Sequence, residues 1–487
     1  MMREQWNSRT GFVLAAVGSA IGIGNIWRFP YMAYDNGGGA FLIPYFFAML
    51  TAGVPFLIME FALGHRYKSA APLTFHAIKA RWEGLGWWQV LVCLVISFYY
   101  VVVLGWTVCY LFLSFHQSWG NDPSSYFFKD FLKLTAGPLH TGGMRWPIVA
   151  ANVFCWLATW VVLWRGVRAG IERVSKIFMP VLFVLVLILL VRAVTLPGAA
   201  DGLNWLFRPD FSHLWDYKVW TAAYGQIFFT LSIGFGIMIA YSSYLPDDAD
   251  ITNNGFITVF INCGFSLLAG TMVFGVLGFM AAQQGVPIKE VVSQGVGLAF
   301  ATIPAALNMM PAAGIFGIVF FLALLFAGFS SFLSVVEACI APLMEKLGWT
   351  RTRAVSVLCG VGLVGSLPFS TGGGLLVLDI VDHFINNYGI VFGGLAEIIL
   401  IAWFGRLAEM REYVNQVSDF PLGSWWAVCL KVVTPLTLGV MAVSNLVGDL
   451  AQPYGGYPLT ALIAFGWALM AAIGLGAWWL ATKRWAY

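Results

Sequence analysis

Charge is scarce in this chain. Asp, Glu, Lys and Arg make up 10% of its 487 positions, against 60% hydrophobic and 16% aromatic residues. A soluble surface needs about a quarter of the residues charged, so a soluble globular domain is excluded. Cysteine is sparse as well. The seven (Cys93, Cys109, Cys155, Cys263, Cys339, Cys359, Cys429) are odd in number, lack paired spacing and fall mostly in apolar runs. That excludes a disulfide framework and a zinc site and leaves small core residues. No Asn-x-Ser/Thr acceptor, low-complexity tail, HExxH or nucleophile motif occurs. The six histidines (His65, His76, His116, His140, His213, His383) sit in loops or near span ends, so an intramembrane enzyme, which needs catalytic groups converging at depth, is not expected. A polar start with Arg3 and Arg9, followed by a long apolar run without a small-residue cleavage site, argues against a cleavable signal peptide.

Long apolar runs are what the chain has instead. Twelve reach about the 20 residues needed to cross roughly 30 Å of hydrocarbon: approximately 11 to 33, 40 to 64, 88 to 115, 147 to 164, 172 to 193, 220 to 243, 254 to 281, 313 to 344, 352 to 367, 375 to 405, 425 to 447 and 458 to 482. The expectation is an all-α integral membrane protein, one polytopic domain over 1–487, in a lipid bilayer, with both termini on one side. A cytoplasmic N-terminus places 17 of the 26 Lys and Arg in cytoplasmic segments and 7 outside, with Arg28 and Lys431 within or beside spans. That is the positive-inside bias. The loop "PDDADI", 246 to 251, dissents, but acidic residues count little in this rule. The net charge of +3 serves topology and points to no nucleic-acid partner.

The first span contains "GSAIGIGNIWRFP", with Gly18, Gly22 and Gly24 followed by Asn25 and Arg28. Glycine alone in a membrane helix commonly serves close packing. Polar residues at depth are costly unless they face a cavity or a partner. The sixth span repeats the pattern in "GQIFFTLSIGFG", where Thr230, Ser232, Gly234 and Gly236 interrupt it. Two glycine-interrupted spans in corresponding positions point to inverted halves meeting at a midplane binding site, and the leucine-transporter fold is the worked example of that rule. A broken helix frees carbonyls and amides that lipid cannot satisfy. An ion or a substrate would have to occupy them.

"GSAIGIGNIWRFPYMAYDNGGGAFLIPY" and "GQIFFTLSIGFG" resemble the neurotransmitter:sodium symporter family, whose bacterial amino-acid members define the leucine-transporter fold. The likeness runs from Arg3 to the tenth span. It implies two inverted five-helix repeats with helices 1 and 6 broken, at about 11–193 and 220–405, and added helices at about 425–482. It implies a sodium-coupled symporter working by alternating access. Its first sodium site would fall on the Ala20 carbonyl, Asn25, Thr230, Asn262 and the substrate's carboxylate. The second would fall on the carbonyls of Gly18, Ile21 and Ala327 and the hydroxyls of Ser330 and Ser331. All-oxygen, mostly neutral ligands suit a hard monovalent ion, although "AGFSSF", 327 to 332, taken alone reads as small-residue packing with hydroxyls bonded to the preceding turn.

The resemblance also implies the pocket. A carboxylate would lie near the Ile23 and Gly24 amides and Tyr100, an amino group near Ala20, Phe229, Thr230 and Ser232, and a side chain against Ile96, Phe229, Phe235 and Val335. Monoamine members carry aspartate at the position of Gly22 and amino-acid members glycine, so an amino acid is favoured. The uncharged pocket favours a neutral, hydrophobic one. Arg28 with Asp382 would form the outer gate, and Arg3 with Glu345, supported by Trp6, Ser243 and Tyr244, the inner one. Ser266 stands where many bacterial members carry a carboxylate and chloride-dependent animal members a serine, so Tyr45, Gln226, Ser232 and Ser266 would form a chloride site. The short ends and the lack of a glycosylated external loop resemble bacterial members, hence an inner-membrane location. Substrate identity, ion stoichiometry and oligomeric state stay open. A channel is disfavoured by the paired gates. A proton-coupled carrier is the nearest rival, because Glu60, Glu337 and Glu397 lie within spans.

Overall fold

The computed structural model describes residues 4–293 and 295–486. Its framework is helical throughout. The first crossing is two helices, α1 (Arg9–Ala20) and α2 (Ile23–Asp35), bent by 51° at the break between them. There follow α3 (Gly39–Tyr67), α4 (Ala80–Leu113), α5 (Trp146–Trp164) and α6 (Val167–Val194). A second interrupted segment comprises α7 (Tyr217–Thr230) and α8 (Ile237–Ser242). The remainder are α9 (Ile251–Gln284), α10 (Ala313–Leu347), α11 (Arg351–Ser366), α12 (Gly374–Phe404), α13 (Ser424–Gly456) and α14 (Leu459–Thr482).

Among the described residues, nine helices are long and apolar enough to cross a membrane, and the bent pair α1–α2 makes ten. The two expected spans that miss the length criterion do so for visible reasons. The sixth is split into pieces of 14 and 6 residues, and the ninth, α11, has only 16. Contacts place the ends of both on opposite sides of the bundle. The chain before α7 bridges to Gly38 through Pro209, whereas just beyond α8 the Tyr244 carbonyl accepts the Trp6 amide at 3.0 Å. Arg351 at the start of α11 meets Glu4, while the Ser370 carbonyl beyond its end accepts the Arg145 amide at 2.9 Å.

Burial sorts the helices into layers. In α4 78% of the most apolar window is buried, and in α9 and α10 72%, so these form the centre. In α6 and α14 only 28% is, which leaves Leu187, Val191, Leu475 and Trp478 on the outside. An outside that apolar requires lipid as its solvent. α10 packs along α4 and α6, and α9 along α2, α3 and α6. The two broken helices are thereby held inside the bundle.

Both ends of the bundle are tied by polar contacts. At the end rich in Lys and Arg, the segment before α1 is anchored by Glu172, which accepts from the Asn7 amide at 2.7 Å and the Ser8 hydroxyl at 3.0 Å. The acidic 246 to 251 loop lies here too. Asp247 pairs with Lys68 at 2.9 Å and Asp250 with Arg9 at 3.7 Å. That acidity is therefore local counter-charge to basic residues, and the Lys68 hydrogen bond holds the Asp247 carboxyl below its ordinary value.

Two ion pairs at this end are buried, Lys346 with Glu83 and Arg351 with Glu337. Glu337 of α10 accepts from Arg351 Nη2 at 2.6 Å and from the Tyr244 hydroxyl at 2.8 Å. Removing one partner of such a pair strands a desolvated charge. Arg351→Ala should therefore destabilise the protein by about 3 kcal/mol or more, whereas Arg353→Ala, on the exposed side of the same turn, should change little. Thermal unfolding of the two variants in one detergent checks this; equal midpoints would show that the Glu337 pair does not hold the helix ends together.

Candidate functional site

The site grows from two backbone breaks. α1 ends at Ala20, and the Ile21 amide still bonds the Val17 carbonyl at 2.7 Å. An unbroken helix would next join the Gly22 amide to the Gly18 carbonyl. Instead the Gly22 amide donates to Asn25 Oδ1 at 2.9 Å. The Ile23 amide, owed to Ser19, points to the Tyr100 hydroxyl at 3.4 Å, and the Ser19 carbonyl accepts from Ser232 Oγ at 3.2 Å. The Gly18 carbonyl thus loses its helical partner, and α2 presents its N-terminal amides, the positive end of the helix dipole, to the break. At Gly22 a Cβ would lie 3.0 Å from the Tyr100 hydroxyl and 3.3 Å from Ser331 Oγ. Only glycine lets those groups close on the chain so tightly.

The second break follows Thr230. Ser232 has φ 54°, Gly234 86° and Gly236 72°. Left-handed backbone is costly for a serine, and it turns the Ser232 hydroxyl onto the first break. Behind it, Glu60 of α3, wholly buried, accepts the Gly234 amide at 3.1 Å. Glu397 of α12, equally buried, accepts from Gln89 at 2.6 Å. Glu60 Oε2 and Glu397 Oε1 are buried without a hydrogen-bond partner.

Asn25 joins the two breaks. Its Nδ2 lies 2.9 Å from Thr230 Oγ1, 3.0 Å from Asn262 Oδ1 and 2.8 Å from Ser266 Oγ. One NH2 group faces three oxygens, all buried and none charged. Those lone pairs converge on a point where a small cation could replace the donor. Beside them, Tyr45 and Gln226 are completely buried, and the Tyr45 hydroxyl and both Gln226 side-chain atoms have no hydrogen-bond partner. Tyr45 lies next to Ser266 and Cys263.

The remaining expected residues fall around this junction. Gly18 packs on Ser330, where a Cβ would lie 3.3 Å from the serine Cβ. Ser330 Oγ is bonded within its helix to the Phe326 and Ala327 carbonyls at 2.9 and 3.0 Å, and Ser331 faces Gly22. Ile96, Phe235 and Val335 are buried, while Tyr100 and Phe229 are half-buried. The Phe229 ring fills the space a side chain at Gly24 would need. Arg28 lies over that ring, 4.1 Å from its centroid. Asp382 accepts from the Tyr99 hydroxyl at 2.9 Å and lies close enough for its charge to act on Arg28, without a direct ion pair. Of the inner gate, Arg3 lies outside the described residues. Glu345 accepts from the Ala70 amide at 3.0 Å, and Trp6 Nε1 donates to the Tyr241 carbonyl at 2.8 Å.

Sequence reasoning missed several members. Ser19 Oγ donates to Ser334 Oγ at 2.7 Å, linking α1 to α10. Phe332 stacks parallel to Tyr100 at 6.1 Å, and Glu60 caps the second break. Only the acid in the middle of the second span signalled the last of these. Glu337 is committed to Arg351 and Tyr244, which separates it from Glu60 and Glu397 as a candidate proton carrier.

An all-helical membrane bundle with two helices broken face to face around neutral buried oxygens has the architecture of a secondary transporter. The chain belongs to the sodium:neurotransmitter symporter family, whose model matches residues 3–122 and 120–482. It is 44% identical to an uncharacterized sodium-dependent transporter of Methanocaldococcus jannaschii over 95% of this chain and 94% of that one. It is 32% identical to a sodium-dependent dopamine transporter of Caenorhabditis elegans, covering 93% and 82% of the two chains. A sodium- and chloride-dependent taurine transporter of Rattus norvegicus is 31% identical, with 96% and 82% covered.

Asn25→Ala should lower stability by about 1–3 kcal/mol even without sodium, because it leaves the Gly22 amide and the facing side chains of Thr230, Asn262 and Ser266 short of partners. The thermal midpoint in choline buffer reads this. An unchanged midpoint would mean that Asn25 does not clamp the two breaks.

Proposed function

We propose that the protein is a sodium-coupled symporter of a neutral, hydrophobic amino acid. The observation that carries this reading is the Asn25 junction, where the two broken helices meet around uncharged oxygens. Asn25, Thr230, Asn262 and the Ala20 carbonyl would hold one sodium ion, completed by the substrate carboxylate. Gly18, Ile21, Ala327, Ser330 and Ser331 would hold a second, for which Ser330 must turn out of its bonds to its own helix. The α2 amides at Ile23 and Gly24 and the Tyr100 hydroxyl suit a carboxylate. The absence of a charge at Gly22 suits a zwitterion better than a lone amine. Ile96, Phe235 and Val335 offer its side chain apolar surface.

In this reading twelve crossings form two inverted repeats, with both termini cytoplasmic in a bacterial inner membrane, and the basic end faces the cytoplasm. Each sodium moving inward through about 100 mV contributes about 2.3 kcal/mol. A substrate carboxylate that ligates the ion binds poorly without it, which couples the two. Phe229 and Arg28 form the outer lid, and Arg28 must move to meet Asp382 directly as it closes. Arg3 with Glu345 would form the inner gate.

Chloride enters through charge balance. A sodium buried among neutral ligands favours a nearby anion. Tyr45 and Gln226, buried without partners beside Ser266, are donors that a chloride would satisfy; Ser232 is turned toward Ser19 and would contribute less. The taurine relative's stated chloride dependence agrees with this. The rival is proton coupling, favoured by the unpartnered oxygens of Glu60 and Glu397, which could share a proton.

Amino-acid uptake into proteoliposomes separates these readings. Choline in place of sodium at constant pH should abolish uptake; undiminished uptake that follows an imposed pH gradient would instead establish the proton-coupled reading. Asn25→Ala and Asn262→Ala should each lose sodium-dependent binding. Gly22→Asp should lose amino-acid uptake by repelling the carboxylate. Gluconate in place of chloride should slow the native protein, and Ser266→Glu should restore chloride-independent transport. Equal native rates in both anions would remove the chloride site from the mechanism.

A further inference from the structure

A groove of about 410 Å3 lies on the outside of the bundle between α4, α12 and α14. Gly393, Gly474, Trp88 and Trp478 line it, and Arg81 near the start of α4 and Ala481 near the end of α14 lie toward its basic end. That volume is far larger than a single-water void between packed helices. It faces lipid, since Trp478 is 67% exposed. The Trp88 indole donates to the Gly389 carbonyl at 2.8 Å, so that wall is fixed and its polar atom satisfied.

The glycines that make the depth are not demanded by the backbone. Gly474 has no left-handed torsion, and a Cβ there would make ordinary contact with Trp88 at 3.6 Å. A Cβ at Gly84, farther up the same groove, would meet nothing within 4 Å. Glycine in a helix costs about 1 kcal/mol against alanine, so neither position is filled for the sake of the helix.

The mouth opens at the basic end. Arg81 is exposed and has no hydrogen bond or ion pair among the described residues. Lys483 and Arg484 follow Ala481 after Thr482, and Lys483 rests over Trp479 at 4.5 Å. An apolar slot open to lipid with cations at its mouth is complementary to a molecule with an acyl chain and an anionic head.

We propose that this groove binds one anionic phospholipid, its chain along Gly474 and Trp88 and its phosphate at Arg81. The proposal is independent of the transport reading, because neither sodium nor amino acid enters its test. The protein in dodecyl maltoside is mixed with equal amounts of palmitoyl-oleoyl phosphatidylglycerol and phosphatidylcholine, and retained lipid is read by native mass spectrometry. Phosphatidylglycerol should be retained about fivefold over phosphatidylcholine, the preference expected from one basic residue at an anionic headgroup. Arg81→Gln should abolish that preference, and Gly474→Leu or Gly84→Leu should remove the retained lipid. Equal retention of the two lipids by the native protein overturns the proposal, and that comparison needs no variant to fold. So does phosphatidylglycerol retained undiminished by both leucine variants, or a Gly474→Leu variant that loses a dimer while keeping its lipid, which would assign the groove to a second copy of the chain.

Discussion

Everything at the centre of this protein depends on one constraint: backbone polar groups released inside a membrane must find partners within the protein. Two crossings are broken, and the groups released at one break are caught by side chains belonging to other elements. Asn25 does most of this. Its oxygen takes the Gly22 amide and its nitrogen reaches Thr230, Asn262 and Ser266, so one amide ties the first break to the second and to α9. Ser232, held in a strained conformation, returns a bond to Ser19, and Glu60 caps Gly234. The breaks are thus one polar unit built from four parts of the chain.

The barriers on the two sides of this unit differ. Toward the basic end lie several layers: Trp6 against Tyr241 and Tyr244, Glu337 with Arg351 and Tyr244, and the chain before α1 tied to Glu172. Toward the opposite end Arg28 lies on the face of Phe229, and Asp382 is engaged by Tyr99. Tyr100, Phe229, Arg28 and Asp382 are all half-buried.

Hydropathy made twelve crossings legible because length and apolarity are local properties, and ten of them, counting the bent pair as one, are helices long and apolar enough to span. The sixth and ninth fall short as helices, since one is cut by Leu231–Gly236 and the other has 16 residues bounded by polar ends. The breaks were legible through glycine beside Asn25 and Thr230. Their partners were not. Ser334 follows Ser19 by 315 residues and Glu60 precedes Gly234 by 174, and nothing local distinguishes these side chains from ordinary helix-packing serines or a stray acid. The "PDDADI" loop shows the same limit: it departed from the positive-inside pattern as sequence, and in space it neutralises Lys68 and Arg9.

Where satisfaction is incomplete, it is incomplete in one neighbourhood more than elsewhere. Other unpartnered atoms lie elsewhere, including those of Tyr110, Asn152 and the group at Asp250, Thr252 and Asn254, but the Tyr45 hydroxyl, both ends of the Gln226 amide, Glu60 Oε2, Gln89 Oε1 and Glu397 Oε1 all lie on helices around the second break. Each such atom costs on the order of 1–3 kcal/mol when desolvated and unpaired. A fold stable enough to hold them must gain that energy from the packing of α4, α9 and α10. Any group that supplied the missing bonds would recover that cost. Glu60 holds the Gly234 amide and Gln226 belongs to α7 itself, so satisfying these groups would change how firmly the broken helix is held.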